Sequence, residues 1–145
     1  MLTNRSVPVN TILPHVCYKD VRAAITWLSN TFGFVEHYHY GEPAQGAQMH
    51  LGEAWIMVTG SRTGRKSPAE LGSWTQSLTV FVEDVERHYA HTKASKATIV
   101  EELNETLYGE KQYAATDLEG HHWLFSRHAQ DVSPEEWGAT IVNRL

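Results

Sequence analysis

An internal repeat constrains this chain more than any other feature. Ile12-Leu-Pro-His-Val-Cys-Tyr-Lys-Asp20-Val21 is a short β-like run followed by an aspartate suited to cap a helix. Sixty-four residues later, Ser77-Leu-Thr-Val-Phe-Val-Glu-Asp84-Val85 does the same: Val16 matches Val80, Asp20 matches Asp84, Val21 matches Val85 and Val35 matches Ile99. After Asp20, the apolar residues Val21, Ala24, Ile25, Leu28 and Phe32 fall on one helical face, and Gly33 supplies the stop. The helix after Asp84 is weaker, with Val85, His88 and Tyr89 on a face that Thr92 dilutes.

The later parts of the two halves match at an offset of 68, aligning Gly52-Glu-Ala-Trp55-Ile56-Met57 with Gly120-His-His-Trp123-Leu124-Phe125. Each half therefore reads as strand, helix, then three strands. The expected elements lie near 11–18, 20–32, 34–41, 45–51 and 54–59, then 76–83, 84–95, 98–106, 111–117 and 121–127. Neither sheet can cover both faces alone, so the expectation is α+β: two βαβββ modules, 11–59 and 75–128, in one domain spanning 1–145. The linker 60–74, rich in glycine and basic residues, reads as a mobile surface loop. In the tail 133–145, Ser133-Pro134-Glu135-Glu136 has the form of a capping box and opens a short helix expected to dock Trp137.

Composition excludes several classes. Of 145 residues, 41% are hydrophobic and 20% charged, which is incompatible with a disordered chain. Twelve basic against seventeen acidic residues, net −5, argue against a nucleic-acid partner. The longest apolar runs, such as Ala54–Val58, are far short of a membrane span, and MLTNRSVPVN lacks a secretory apolar core. Cys17 is the sole cysteine, so no internal disulfide forms and a cytoplasmic setting is expected.

With its paired strand–Asp–helix openings, Leu28 through Phe32-Gly33-Phe34, and Asp117-Leu-Glu-Gly120-His121-His122-Trp123, the chain resembles the vicinal oxygen chelate superfamily over about residues 11–128. That superfamily holds glyoxalase I, extradiol dioxygenases and the bleomycin- and fosfomycin-resistance proteins. The resemblance implies curved sheets around a cavity, a homodimer, and, in metal-dependent members, ligands on the first and last strand of each module. Counting from Asp20, Asp84 and Asp117 places those positions at Leu13, Ser77 and Leu124, with Ile56 as the repeat partner of Leu124. Such side chains cannot form the His/Glu/Gln shell of a divalent ion, so no metal and no other cofactor is expected. The resemblance is to the metal-free, bleomycin-resistance-like branch.

Strand alternation separates two faces. Leu13, Ser77 and Leu124 share one with His15, Cys17, Thr79, Phe81, His122 and Ser126, a mixture suited to a ligand cavity. The other holds Val16, Tyr18, Leu78, Val80, Val82, Trp123 and Phe125, with Trp55 and Met57 from the first module, and is expected under the helices. Trp74, at the linker's end, is a candidate for stacking on a planar ligand.

The histidines invite sharper readings. His121 and His122 are adjacent on a strand and point apart, so they cannot readily share an ion; His37 and His39 share a face but lack a third ligand. His15 and His122 are the catalytic candidates, as an acid/base pair, although ligand contact explains them as well. Cys17 reads as a small buried hydrophobe rather than a nucleophile paired with His15. Gly60-Ser-Arg-Thr-Gly64-Arg-Lys66-Ser67 fails as a phosphate loop: its glycines are too close, Arg65 precedes the lysine, and Pro68 stands where the helix should begin. The reading at this point is a protein that sequesters an aromatic or cationic small molecule. The alternative is a metal-dependent lyase, isomerase or dioxygenase using relocated ligands such as His15, His122 and Glu83.

Overall fold

The computed structural model describes residues 2–145. The chain divides into two units. The first runs to Thr75 and includes Asp117–His121; the second comprises Gln76–Thr116 and His122–Leu145.

In the first unit, β1 (His15–Tyr18), α1 (Val21–Trp27), β2 (Val35–Tyr40), β3 (Gly46–Leu51) and β4 (Ala54–Gly60) follow the expected order. The sheet runs β1-β4-β3-β2, with β1 parallel to β4 and the other pairs antiparallel. The Asp20 carboxylate accepts from the Ala23 amide at 3.0 Å and starts α1. The helix continues as a π-helical stretch, Leu28–Phe32, and stops at Gly33 with φ +84°. Val21, Ala24, Ile25 and Leu28 are buried together with Val16, Ala47, Met49, Ile56 and Val58 on one face of the sheet. Each large apolar side chain enclosed there contributes about 2 kcal/mol.

The linker, expected as a surface loop, carries local structure. It forms a tight turn in which Arg62 and Arg65 exchange backbone hydrogen bonds, both 2.9 Å, and then a one-turn helix α2 (Pro68–Leu71). Ser67 and Glu70 close a capping box around Pro68, which occupies the first turn, where a missing N–H costs nothing. Pro68 therefore begins a helix rather than blocking one.

The second unit repeats the order with β5 (Ser77–Phe81), α3 (Val85–Ala94), β6 (Thr98–Glu105), β7 (Glu110–Thr116) and β8 (His122–His128). Its sheet runs β5-β8-β7-β6, with β5 parallel to β8. Asp84 caps α3 through the Arg87 amide at 3.0 Å. Thr92 does not dilute the helix face: it is buried, and its hydroxyl accepts from Tyr113 at 2.8 Å. The short helix expected in the tail segment 133–145 is a single 3-10 turn, Pro134–Trp137. Its Ser133/Glu136 box is formed, but Gly138, at φ +98°, ends the turn at once.

Glu86 pins the start of α3 to the sheet through Arg127 at 2.6 Å and Lys111 at 3.1 Å. The Arg127 hydrogen bond, then the Glu86 backbone amide and Lys111, lower its carboxyl from 4.5 to about 2. The folded value lies below the unfolded one, so the stabilisation is present above about pH 4.5 and is lost as pH falls toward 2. Glu86→Gln should flatten the acid limb of stability in that window, read by urea unfolding at stepped pH. Superimposable limbs for variant and wild type would contradict it.

Candidate functional site

The turn 117–121 is densely hydrogen-bonded within the first unit. The Asp117 carboxylate accepts from the Tyr18 hydroxyl at 2.6 Å and from the Glu119 and His121 amides at 3.0 and 3.1 Å. Burial pushes the Tyr18 hydroxyl well above its ordinary pKa, and the neighbouring Asp117 carboxylate adds to the effect. The Glu119 carboxylate accepts from the Lys19 and Asp20 amides at 2.7 and 3.0 Å, and His121 Nε2 donates to the Cys17 carbonyl at 2.6 Å. His121 is thus committed to the backbone of β1. His122 pairs in register with Ser77 and Thr116 on β8's other face.

Register decides which residues reach the face away from α1. His15 pairs with Met57 and Cys17 with Thr59; across β3, Met57 pairs with Gln48 and Trp55 with His50. That face therefore carries His15, Cys17, Met57, Trp55, Gln48 and His50. The placement of Trp55 and Met57 under the helix is overturned, and Ile56, offered as the partner of Leu124, is instead buried on the helix side. Met57 is the true counterpart, since His15–Met57 corresponds to Thr79–Leu124. A one-residue slip exchanges the faces of a whole strand.

A β-bulge between Glu36 and Tyr38 makes a second correction. His37 and His39 do not share a face. His37 Nδ1 donates to Gln48 Oε1 at 2.7 Å, while His39 aligns with Ala47 on the helix side and bonds Glu36 at 2.7 Å. Gln48 is fully buried, and its amide donates to the Ser6 carbonyl at 3.1 Å, as does the Tyr38 hydroxyl at 3.1 Å. Trp55 stacks on His50 with centroids 4.4 Å apart and meets the His37 ring edge-on at 5.7 Å. This aromatic and imidazole surface escaped sequence reasoning. Counting outward from the tight Gly52-Glu53 turn, rather than inward from Trp55, would have found it.

In the second unit, Ser77, Thr79 and Phe81 align with His122, Leu124 and Ser126. All six share the face away from Trp123 and Phe125, as alternation predicts. Ser77, Thr79 and Phe81 are exposed, His122 and Leu124 half-buried, and Ser126 is buried beside Gln112. Leu13 precedes β1, which begins only at His15, and Trp74 is half-exposed just before β5.

A profile of the Glyoxalase/Bleomycin resistance protein/Dioxygenase superfamily matches residues 9–125. The chain belongs to this superfamily. The crystal structure of TioX from Micromonospora sp. ML1 is 29% identical, with a TM-score of 0.70 over 82% of this chain and 98% of that one. The fold is also that of FosX, a fosfomycin resistance protein of Listeria monocytogenes crystallised with Mn(II) and sulfate: 18% identity, TM-score 0.61, 90% and 96% covered. The Mycobacterium bovis protein Mb0911c is 23% identical over 141 residues, covering 90% of this chain and 91% of its own.

The superfamily's metal can be tested against this chain's donors. With the register corrected, the four positions hold Leu13, Met57, Ser77 and Leu124, which offer one weak thioether and one hydroxyl. They do not fit a divalent ion. Among the described residues, no three His, Cys, Asp or Glu side chains form a group able to hold one. Of the relocated set, Glu83 is remote from His122: Phe81, two residues short of it, lies about 13 Å along β5 from the residue paired with His122.

Proposed function

We propose that this protein binds an aromatic or cationic small molecule and sequesters it without chemical change. The observation that carries this reading is the substitution of donors at the four metal positions by Leu13, Met57, Ser77 and Leu124. Rings and imidazoles accompany them on the first sheet, where Trp55, His37 and His50 form a stacking surface. On the second, His122, Thr79, Ser77 and Phe81 combine polar groups with an apolar ring, the mixture that fixes a ligand's orientation. His15, Cys17, Leu124, Ser126 and Trp74 complete the proposed contact set, with His15 and His122 in ligand contact rather than catalysis. The working unit is taken to be a cytoplasmic homodimer of single-domain chains, and no helix of the described residues is long and apolar enough to cross a membrane.

Two measurements test this. Elemental analysis after incubation with zinc, nickel, manganese and iron(II) should find less than about 0.1 metal per chain, too little to fill one site. Thermal-shift titration with bleomycin and ethidium should then raise the melting temperature, since a ligand at about 100 times its Kd adds about 2.7 kcal/mol. One full equivalent of metal, lost in His15→Ala or His122→Ala, would overturn the proposal in favour of a metalloenzyme.

A further inference from the structure

We infer a second binding site in the first unit, an anion-binding cleft suited to a small molecule carrying a phosphate group. β1 and β4 are parallel, so their C-terminal ends and the segments that follow meet at one edge of the sheet. There the start of α1, the β2–β3 loop and the turn after β4 border an open cleft of about 840 Å³, within the size range of small-ligand sites. Lys19, Arg22, Arg62 and Arg65 line it. They are four of the chain's twelve basic residues, gathered in a protein of net charge −5. Against the single acid of the lining, Asp20, they leave an excess of positive charge, and a concave surface with such an excess concentrates anions.

Two of the nearby carboxylates already accept hydrogen bonds. Asp20, the acidic residue of the lining, accepts from the Ala23 amide, and Glu70 bonds Ser61 and the Ser67 amide. The backbone of the Arg62–Arg65 turn is held in place. Arg62 and Arg65 project from a turn closed by two backbone hydrogen bonds, with Gly64 at φ +81° supplying its left-handed residue. Arg65 spends Nε and Nη2 on the Gly60 carbonyl, at 3.0 and 2.7 Å, which orients the guanidinium and leaves further N–H donors. The amides of Lys19, Asp20 and Ala23 are already taken by the Glu119 and Asp20 carboxylates. Recognition rests on side chains. Two pairs of cations, one from the start of α1 and one from the turn after β4, suit a dianion, whereas one guanidinium fork satisfies a carboxylate. Tyr40, Pro43 and Ala44 give the organic part of the ligand an apolar wall.

The test uses the full-length protein, ¹⁵N-labelled, in low salt, titrated with phenyl phosphate, inorganic phosphate and phenol. Saturable amide shifts at Lys19, Arg22, Gln45 and Ser61 are expected with phenyl phosphate, weaker ones with inorganic phosphate and none with phenol. The double variant Arg22→Gln/Arg62→Gln, at two exposed side chains, should raise the Kd about tenfold or more with its spectrum otherwise unchanged. No saturation below about 10 mM, an unchanged Kd in the variant, or shifts centred on His37, Gln48 and Trp55 would each overturn the site. Because the readout is local to the cleft, it stands or falls separately from aromatic binding on the sheet faces.

Discussion

Asp117→Ala is expected to lower stability by about 3 kcal/mol, since three donors lose a charged acceptor and one of them, the Tyr18 hydroxyl, is buried. For a chain of this length that is about 6–12 °C in melting temperature. Tyr18→Phe removes only one of the three bonds and should cost about 1 kcal/mol, because Asp117 keeps its two backbone donors. The two variants and their combination form a double-mutant cycle with a sizeable coupling, as expected for groups in direct contact. If Asp117→Ala costs no more than Tyr18→Phe, the turn is not the anchor described above.

The second large effect contrasts two tryptophans that the repeat treats as equivalent. Trp123 is 1% exposed and stacks parallel to Phe125, with centroids 6.3 Å apart, in the helix-covered core of the second unit. Trp123→Ala should cost about 4 kcal/mol through lost burial and the cavity left behind. Trp55 is half-buried on the opposite kind of face, against His50 and His37. Trp55→Ala should cost only about 1 kcal/mol, while weakening any aromatic ligand on that sheet. Equal losses in urea unfolding would show that Trp55 is as much a core residue as Trp123 and would remove the proposed stacking surface.

That contrast also shows what could be read without coordinates. The two strand–Asp–helix openings were legible because each uses local chemistry: an aspartate accepting from the amide three residues on, then apolar residues at helical spacing. The face of β8 was legible for a similar reason, since Ser77, Thr79 and Phe81 alternate cleanly beside it. The face of β4 was not. Its hairpin turns through Gly52-Glu53 alone, whereas β7 and β8 are joined by residues 117–121, and matching the tryptophans absorbed that difference in the wrong place. His37 and His39 failed for another reason: a bulge adds a residue to one strand of a pair, and period-2 counting is blind to it. The basic cleft was hidden as well, because Lys19 and Arg22 lie some forty residues from Arg62 and Arg65 in sequence and only the parallel pairing of β1 with β4 unites them. Thr92 looked like a flaw in a helix until Tyr113, on β7, gave its hydroxyl a donor.

The placement of residues 117–121 within the first unit sets an order of assembly. Tyr18, Lys19 and Cys17 bond to partners 99, 100 and 104 residues further along the chain. On the ribosome, the first sheet emerges long before these partners do, and the amides leading into α1 wait for a glutamate 100 residues beyond Lys19. Closing a loop of that length costs about 4 kcal/mol of chain entropy, and such long-range closure slows folding. A fragment ending at Thr75 would therefore keep its strands in sequence yet lack the clasp that fastens β1 to the start of α1, so the first half of this duplicated chain depends on the second for its completion.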